Sequence, residues 1–340
     1  MTESVFLQAF KGNEERVPVW FMRQAGRYLP EYQAIRKYHS LDEMFSTPEL
    51  AAEITCQPID ILRVDAAILF ADILTLPSHM GFDIHFDPQK GPVIGNPVSG
   101  ARDLSYIHDT DRIKHIEKTI ALVKDRLPAY IPLIGFAGSP FTVLCYCIEG
   151  GSSDRFKSAF AYMSEQPEQF KQLMEIFTRN TINYLKMQRQ AGADAFQLFD
   201  TWAGMLAPED YHAFVLPYVQ RIFAAVDLPS IYYVKNSLPV LGGMVQSGAN
   251  FVSVDETVPL DNCPLLEQSG LGVQGNLSNR ALYEDYPVLE QKVDKILLDA
   301  SRFKKYIFNL NHGVLPDMNV EKLKFVTRKV QSFKRKLVKV

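Results

Sequence analysis

Arg23 and Arg27 stand four residues apart in the run Trp20-Phe-Met-Arg-Gln-Ala-Gly-Arg-Tyr-Leu-Pro30, whose other members are mostly apolar or aromatic. A guanidinium presents a planar fork that grips carboxylate or phosphate at two points. Buried in such a run, two of them would be costly unless an anion met them. Gly26, beside Arg27, lets a ligand approach the backbone. If the chain turns helically after a strand, the i, i+4 spacing points both cations the same way. The stretch asks for a multiply anionic partner. Without its apolar setting it would read as two surface arginines pairing with Glu31 or Asp42.

Other residues could join such a site. Asp72 lies in the apolar stretch Ile68-Leu-Phe-Ala-Asp-Ile-Leu-Thr-Leu-Pro77. A lone carboxylate there tends to protonate. An arginine about 4 Å away, at an effective dielectric near 20, would contribute roughly 4 kcal/mol of attraction before desolvation and hold it ionised. Its bland alternative is a helix cap. His312, in Asn309-Leu-Asn-His-Gly313, can bind an anion or move a proton near neutral pH, or simply bond the backbone. Tyr146 can donate a hydrogen bond or sit in the core. Thr201 can reach a ligand or cap a helix. Gly150-Gly-Ser-Ser153 lacks the Gly-Lys-Ser/Thr ending of a phosphate loop and reads as a lid or a plain turn. Cys145 and Cys147 have no His-x-Cys or second cluster beside them, so no metal site is expected.

These residues need a scaffold. Nearly continuous apolar runs recur at Val17–Arg23, Ala66–Ile73, Tyr130–Gly138, Ala193–Asp200, Ser230–Val234, Asn250–Asp255, Leu271–Leu277 and Tyr306–His312. Such runs suit strands buried on both faces. Helical patterns separate them, at Pro48–Leu62, Asp111–Leu127, Glu165–Gln190, Pro208–Val226, Arg280–Ser301 and Val320–Leu337. The alternation predicts an α/β chain forming one (β/α)8 TIM barrel over residues 1–340, with its site at the C-terminal ends of the strands. A doubly wound sheet is the alternative, but the first run leads into Arg-Gln-Ala-Gly-Arg, with no Gly-x-Gly-x-x-Gly. Polar groups stand at strand ends as the barrel requires: Arg23, Asp72, Ser139, Asp200 with Thr201, Asp255, Asn276, and Asn311 with His312.

Composition narrows the class. The 340 residues are 47% hydrophobic and 22% charged, with net charge −3, which argues against nucleic acid or an anionic membrane as the main partner. The four cysteines form no disulfide framework, and the N-terminus lacks the basic start and apolar core of a signal peptide. A cytoplasmic protein is expected. The basic tail around Lys334–Lys339 reads as the solvated end of a terminal helix.

Trp20–Pro30 resembles the N-terminal signature of the uroporphyrinogen decarboxylase family. Phe70-Ala-Asp-Ile-Leu74, Gly135-Phe-Ala-Gly-Ser-Pro140, Glu149-Gly-Gly151, Gln197-Leu-Phe-Asp200, Gln274-Gly-Asn-Leu277 and Asn309-Leu-Asn-His-Gly313 are similar to family segments in the same order. The resemblance spans nearly the whole chain. It implies a single (β/α)8 barrel that forms a homodimer and uses neither metal nor organic cofactor. It implies a substrate, uroporphyrinogen, whose four acetates lose carbon dioxide to give coproporphyrinogen. Carried over by motif, Arg23, Gln24, Ala25, Gly26, Arg27, Asp72, Tyr146, Thr201 and His312 would bind substrate. Asp72 would stabilise the transition state, with Arg23 and His312 near the reacting acetates.

Two positions depart from the family pattern. Thr201 stands where serine is usual, and Asn311 where glycine is usual. Asparagine is the best-tolerated replacement if position 311 needs a positive φ. Methyltransferase relatives on the same barrel hold zinc with His-x-Cys and a later cysteine. Here Pro316 and the lack of any cysteine after Cys263 argue against that chemistry.

Overall fold

The computed structural model describes residues 4–87, 89–98 and 113–334. Asp111 and Arg112 of one expected helix, and the basic tail beyond Lys334, lie outside these residues. The strands are β1 (Ala67–Ile68), β2 (Ile84–Asp87), β3 (Gly91–Ile94), β4 (Leu133–Gly138), β5 (Ala195–Phe199), β6 (Ser230–Tyr233), β7 (Phe251–Ser253), β8 (Gly272–Leu277) and β9 (Tyr306–Leu310). Seven of them pair in parallel in the order β1-β4-β5-β6-β7-β8-β9, while β2 and β3 form a separate antiparallel hairpin. The sheet curls into a TIM-barrel-like α/β fold with helices between its strands. Strands β4 and β6 to β9 are buried along their whole length, which is why they read as nearly continuous apolar runs.

The expected first strand, residues 17–23, does not form a ladder. It meets β9 through one parallel bridge, Val19 with Phe308, and receives Asp65 N–H on the Val19 carbonyl at 2.8 Å. The reason is local. Pro18 has no N–H to give, and the Val19 N–H goes to the Asp65 carboxylate at 2.9 Å instead of to a strand carbonyl. The second expected strand also shortens. Beyond Leu69, the Phe70 N–H bonds Thr55 Oγ1 at 3.0 Å, so side-chain oxygens replace the ladder.

Helices follow the expected pattern with informative breaks. Pro48–Leu62 is a helix as read from sequence. The segment 208–226 divides into Pro208–Phe214 and Leu216–Ala225, with Pro217 at the second start. The segment 280–301 divides into a 3-10 turn at Asn279–Tyr283 and a helix at Tyr286–Ala300, with Pro287 at its start. A proline without N–H ends one ladder and begins the next. The last helix stops at Ser332 rather than 337.

Polar side chains inside the curl fix its register. Gln274 on β8 accepts from Trp20 Nε1 at 2.9 Å and donates to Gln197 Oε1 on β5 at 2.9 Å and Ser253 Oγ on β7 at 2.8 Å. On the outside, Gln188 of the helix Pro167–Ala191 bridges both Phe136 N–H and carbonyl, at 2.9 and 2.8 Å. A Cβ at Gly135 would stand 2.3 Å from Gln188 Oε1, so only glycine admits this pin. Among the described residues, no helix is long and apolar enough to cross a membrane.

Asp65 is the joint between the N-terminal segment and the barrel. It is buried and takes two bonds from Arg16, at 2.8 and 2.5 Å, besides the Val19 N–H. Asp65→Ala strands these donors and also Gln331 Nε2, which reaches Oδ1 at 3.2 Å, and should lower stability by about 3 kcal/mol, somewhat below a fully buried pair because Arg16 is partly exposed. Urea unfolding measures this, and a loss under about 1 kcal/mol would show the joint to be dispensable.

Candidate active site

Arg23 sits at the end of the segment that meets β9, in a left-handed turn with φ of 58°. Such a φ is uncommon for a side chain other than glycine. The expected helical turn is absent. Tight turns replace it, with Gln24 N–H on Phe21 O and Leu29 N–H on Gly26 O, both at 3.0 Å. Gln24 staples them from inside: its amide accepts from Phe21 N–H at 3.1 Å and donates to Ala66 O at 3.0 Å. Its buried side chain therefore has a structural task. Ala25 and Gly26 lie half-exposed between the two arginines.

The arginines themselves are exposed, while Trp20, Phe21, Met22, Tyr28 and Leu29 around them are buried. The apolar run thus belongs to the core, and the cations emerge from it. Neither guanidinium has a hydrogen bond or ion pair with another described residue, Glu31 and Asp42 included. The Arg23 stem lies on Gly313, where an added Cβ would come within 2.4 Å of Arg23 Cδ. The tip of β9 is shaped to seat this arginine.

Arg23 is the electrostatic centre of the rim, since its charge acts on Asp72, Tyr146, Tyr233 and His312. Asp72 follows β1. Its Oδ1 accepts Leu74 N–H at 2.8 Å, an Asx turn that leads into the helix Thr75–His79. The cap position of that helix is Leu74, so Asp72 is not its N-cap, and its Oδ2 takes no bond within the described structure. Burial raises the Asp72 pKa, against the pull of the Leu74 N–H and then Arg23. Arg23 therefore does not by itself hold the carboxylate in its usual range. Arg27 does not figure among the charges acting on Asp72; its charge, with that of Arg36, acts on Tyr32.

His312 follows β9 and is half-buried. Burial, Arg23 and Lys235 together push its pKa down to about 4, so the ring is neutral at pH 7. It is no proton store at rest. Tyr146 lies on the helix Pro140–Glu149 after β4, with its ring centre 6.1 Å from that of Trp202. Burial pushes its hydroxyl up to about 12, so it remains a donor. Thr201 follows β5; the 3-10 turn after it has Trp202 at its cap and no side-chain cap bond, so Thr201 is not the cap.

Several strand-end groups serve the frame instead of the rim. Asp200 is fully buried, accepting Thr142 Oγ1 at 2.7 Å and the Tyr232 hydroxyl at 2.8 Å. Thr142 in turn accepts Trp202 N–H at 3.1 Å, which fixes the turn carrying Thr201. Asp255 holds Ser237 N–H at 3.2 Å and Thr257 N–H at 3.0 Å. Asn276 donates to the carbonyls of Asp255 and Val258, at 3.0 and 2.9 Å.

Asn311 does not have a positive φ. It is a hub: its Oδ1 accepts Asn279 N–H at 2.8 Å, its Nδ2 donates to Glu256 at 2.6 Å, and its carbonyl accepts the Tyr233 hydroxyl at 3.1 Å. Gly150-Gly151 is a plain turn. Gly150 caps its helix in the left-handed region, and Gly151 bridges Val93 of β3, with no room for a Cβ beside Pro92 O at 2.6 Å.

Sequence reading passed over Lys235 and Trp202. Lys235 follows β6, the one expected strand for which no polar end group was named. Two surface grooves, of 430 and 520 Å³, lie elsewhere. The first is lined by residues such as Glu31, Tyr38 and Glu53, the second by Gln8, Arg16 and Phe333, and neither includes any of the rim residues.

Known proteins resemble this chain over nearly its whole length. The family model for uroporphyrinogen decarboxylase matches residues 1–333. A relative named uroporphyrinogen decarboxylase from Roseiflexus sp. is 41% identical over 98% of this chain and 99% of its own length. Another of that name, from Desulfotalea psychrophila, is 44% identical over 91% of this chain and 92% of its own. Among solved structures, a methyltransferase from Methanosarcina mazei superposes with a TM-score of 0.74 at 19% identity, covering 96% of this chain and 98% of that one; at that identity the likeness concerns the fold.

The depressed His312 pKa has a pH signature. The unfolded ring takes a proton near 6.5, while the folded ring resists it until about 4. Below pH 6.5 the unfolded state therefore binds more protons, and stability falls as pH drops toward 4. His115, lowered to about 4 by burial and by His79, adds a second contribution of the same sign. His312→Gln should flatten the slope of stability against pH by up to about one proton over this interval. An unchanged slope would place His312 in a solvent-like setting.

Proposed function

The chain belongs to the uroporphyrinogen decarboxylase family, and we infer that it removes carbon dioxide from the four acetates of uroporphyrinogen III to give coproporphyrinogen III. It is a carboxy-lyase of porphyrin and heme synthesis. The observation that carries this is the full-length match. The rim chemistry supports it independently: free cations for carboxylates, and a carboxylate oxygen free for N–H groups.

The substrate offers eight carboxylates around a reduced macrocycle with four pyrrole N–H groups. Arg23 and Arg27 take carboxylates. Asp72 Oδ2 accepts pyrrole N–H groups, which also restore the ionised form that burial disfavours. Loss of carbon dioxide leaves an electron pair that needs a sink. Protonation of a pyrrole ring carbon makes that ring a cation. The carbon–carboxylate bond then breaks, its electrons neutralise the ring, and an exocyclic methylene remains. A second proton on the methylene gives the methyl group, and the ring carbon returns the first. Net uptake is one proton per acetate.

Asp72 stabilises the cationic ring more than the neutral ground state, which is the condition for catalysis. The substrate thus supplies its own electron sink, and the reading assigns no metal or organic cofactor. Neutral His312 donates or accepts a hydrogen bond at an acetate. An arriving carboxylate would raise its pKa back toward neutrality. Tyr146 and Thr201 contribute hydroxyls, with Gln24, Ala25 and Gly26 shaping the backbone between the arginines.

The functional unit in this reading is a cytoplasmic homodimer. The family resemblance supports the dimer, and four free cysteines suit a reducing compartment. Sedimentation should give about twice the 38.6 kDa of the chain, and a monomer at working concentration would overturn this part.

Asp72→Asn keeps the size and removes the charge. With reduced uroporphyrinogen, and product carboxylates counted by chromatography, it should lose about a hundredfold or more in turnover, roughly 2.7 kcal/mol. Near-normal turnover would sink the cation-stabilising role. Absence of carboxylate loss with the unaltered protein would sink the reaction itself.

A further inference from the structure

Lys235 is held in place more tightly than a surface lysine needs to be. Its backbone follows β6 and is clamped from two sides. Gly204, after β5, packs so closely that an added Cβ would lie 2.0 Å from Lys235 O and 2.6 Å from Asn236 O. Asp255, after β7, holds the Ser237 N–H at 3.2 Å. Asn236 between them takes a left-handed φ of 53°. The direction in which Lys235 leaves the chain is therefore fixed by three strand ends.

The side chain is half-buried, and its Nζ lies 5.8 Å from the centre of the Trp202 ring. Trp202 is fixed in turn by Thr142 and faces Tyr146 at 6.1 Å. A cation on an aromatic face keeps its stem ordered at small cost. Yet Lys235 has no ion pair or hydrogen bond with another described residue. It is close enough to His312 to act on that ring alongside Arg23. The result is an oriented, partly desolvated ammonium without an anion, on the same rim as Arg23.

We propose that Lys235 is a further substrate-binding residue, which takes a carboxylate of the tetrapyrrole on the Trp202 side of the site. The proposal rests on the reading of the substrate as an octacarboxylate. An ammonium suits this place because it is a compact charge with rotatable donors, tolerant of flexible side arms, where a guanidinium fork would demand one geometry.

The test uses the full-length protein and oxidised uroporphyrin, which keeps the eight carboxylates but is not the reduced substrate. Lys235→Met preserves the stem on Trp202 and removes the charge. It should weaken uroporphyrin binding about tenfold, and the deficit should shrink as salt rises from about 0.05 to about 0.5 M, since the lost attraction is ionic. KM for uroporphyrinogen should rise in step, with kcat within about twofold. Lys235→Arg keeps the charge and should bind more tightly than Lys235→Met but less tightly than the unaltered protein.

A separate readout is the His312 ring titrated by NMR. The groups acting on it are Arg23, Lys235 and the Gly313 backbone. Removing one cation should move its midpoint upward, which checks that the ammonium stands by the ring; the salt-dependent loss of uroporphyrin binding is the part that a merely structural lysine would not show.

Unchanged uroporphyrin affinity and KM in Lys235→Met would overturn the proposal. So would a loss confined to kcat. If the unaltered protein binds uroporphyrin but leaves uroporphyrinogen intact, the decarboxylase reading fails while the Lys235 result still stands on binding. If it decarboxylates uroporphyrinogen without binding uroporphyrin, the decarboxylase reading stands and KM decides the proposal: an unchanged KM in Lys235→Met overturns it.

Discussion

The seam between residues 17–22 and β9 is the contact on which the rest of the site depends. Phe308 N–H meets Pro18 O at 2.9 Å, Met22 N–H meets Asn309 Oδ1 at 3.1 Å, and Val314 N–H meets Met22 O at 2.9 Å. These bonds bring the N-terminal segment against the far edge of a curled sheet, where no hairpin or crossover would carry it. They also deliver Arg23 onto Gly313. Closing the curl and placing the first cation are thus one event, and Asp65 anchors the same segment on the side of β1.

Around that seam the electrostatics run against the overall charge of the chain, which is −3. The rim carries exposed cations and two titratable groups displaced toward their neutral forms. Burial raises Asp72, and burial with two cations lowers His312. A ligand with carboxylates at its edge and N–H groups at its centre reverses both displacements at once. Binding of such a ligand would therefore draw both groups toward their charged forms.

Much of this was legible in the sequence because buried strands leave nearly continuous apolar runs and because the strand-end rule names their last residues. The order of the parallel strands and the helix Pro48–Leu62 follow from pattern alone. The errors have physical sources. Apolar content does not reveal where a backbone N–H bonds, so 17–23 read as a strand although Asp65 captures the Val19 N–H. The hairpin β2–β3 is only partly buried and leaves no run to find. Strand-end polarity does not separate Asp200 and Asn276, spent on the frame, from Asp72 and His312, which keep free atoms. Nor does spacing show that Arg23 and Arg27 lie on successive turns and are exposed. Lys235 was visible by the same rule that found the others, but a lysine after a short strand carries no sign of the tryptophan beneath it.

Asn311 gives the rim a mechanical character. One side chain and its carbonyl tie the segment after β9 to Asn279 after β8, to Glu256 after β7 and to Tyr233 on β6, while Ser278 adds a second bond to Glu256. Amide protons in these segments should then exchange with solvent as one cooperative unit, because none can open without breaking the shared bonds. The turn through Asp72 is bonded locally, with Leu74 N–H on its Oδ1 and its own N–H on Thr75 Oγ1. The ends of β6 to β9 are thus tied to one another, while the turn after β1 is tied to itself.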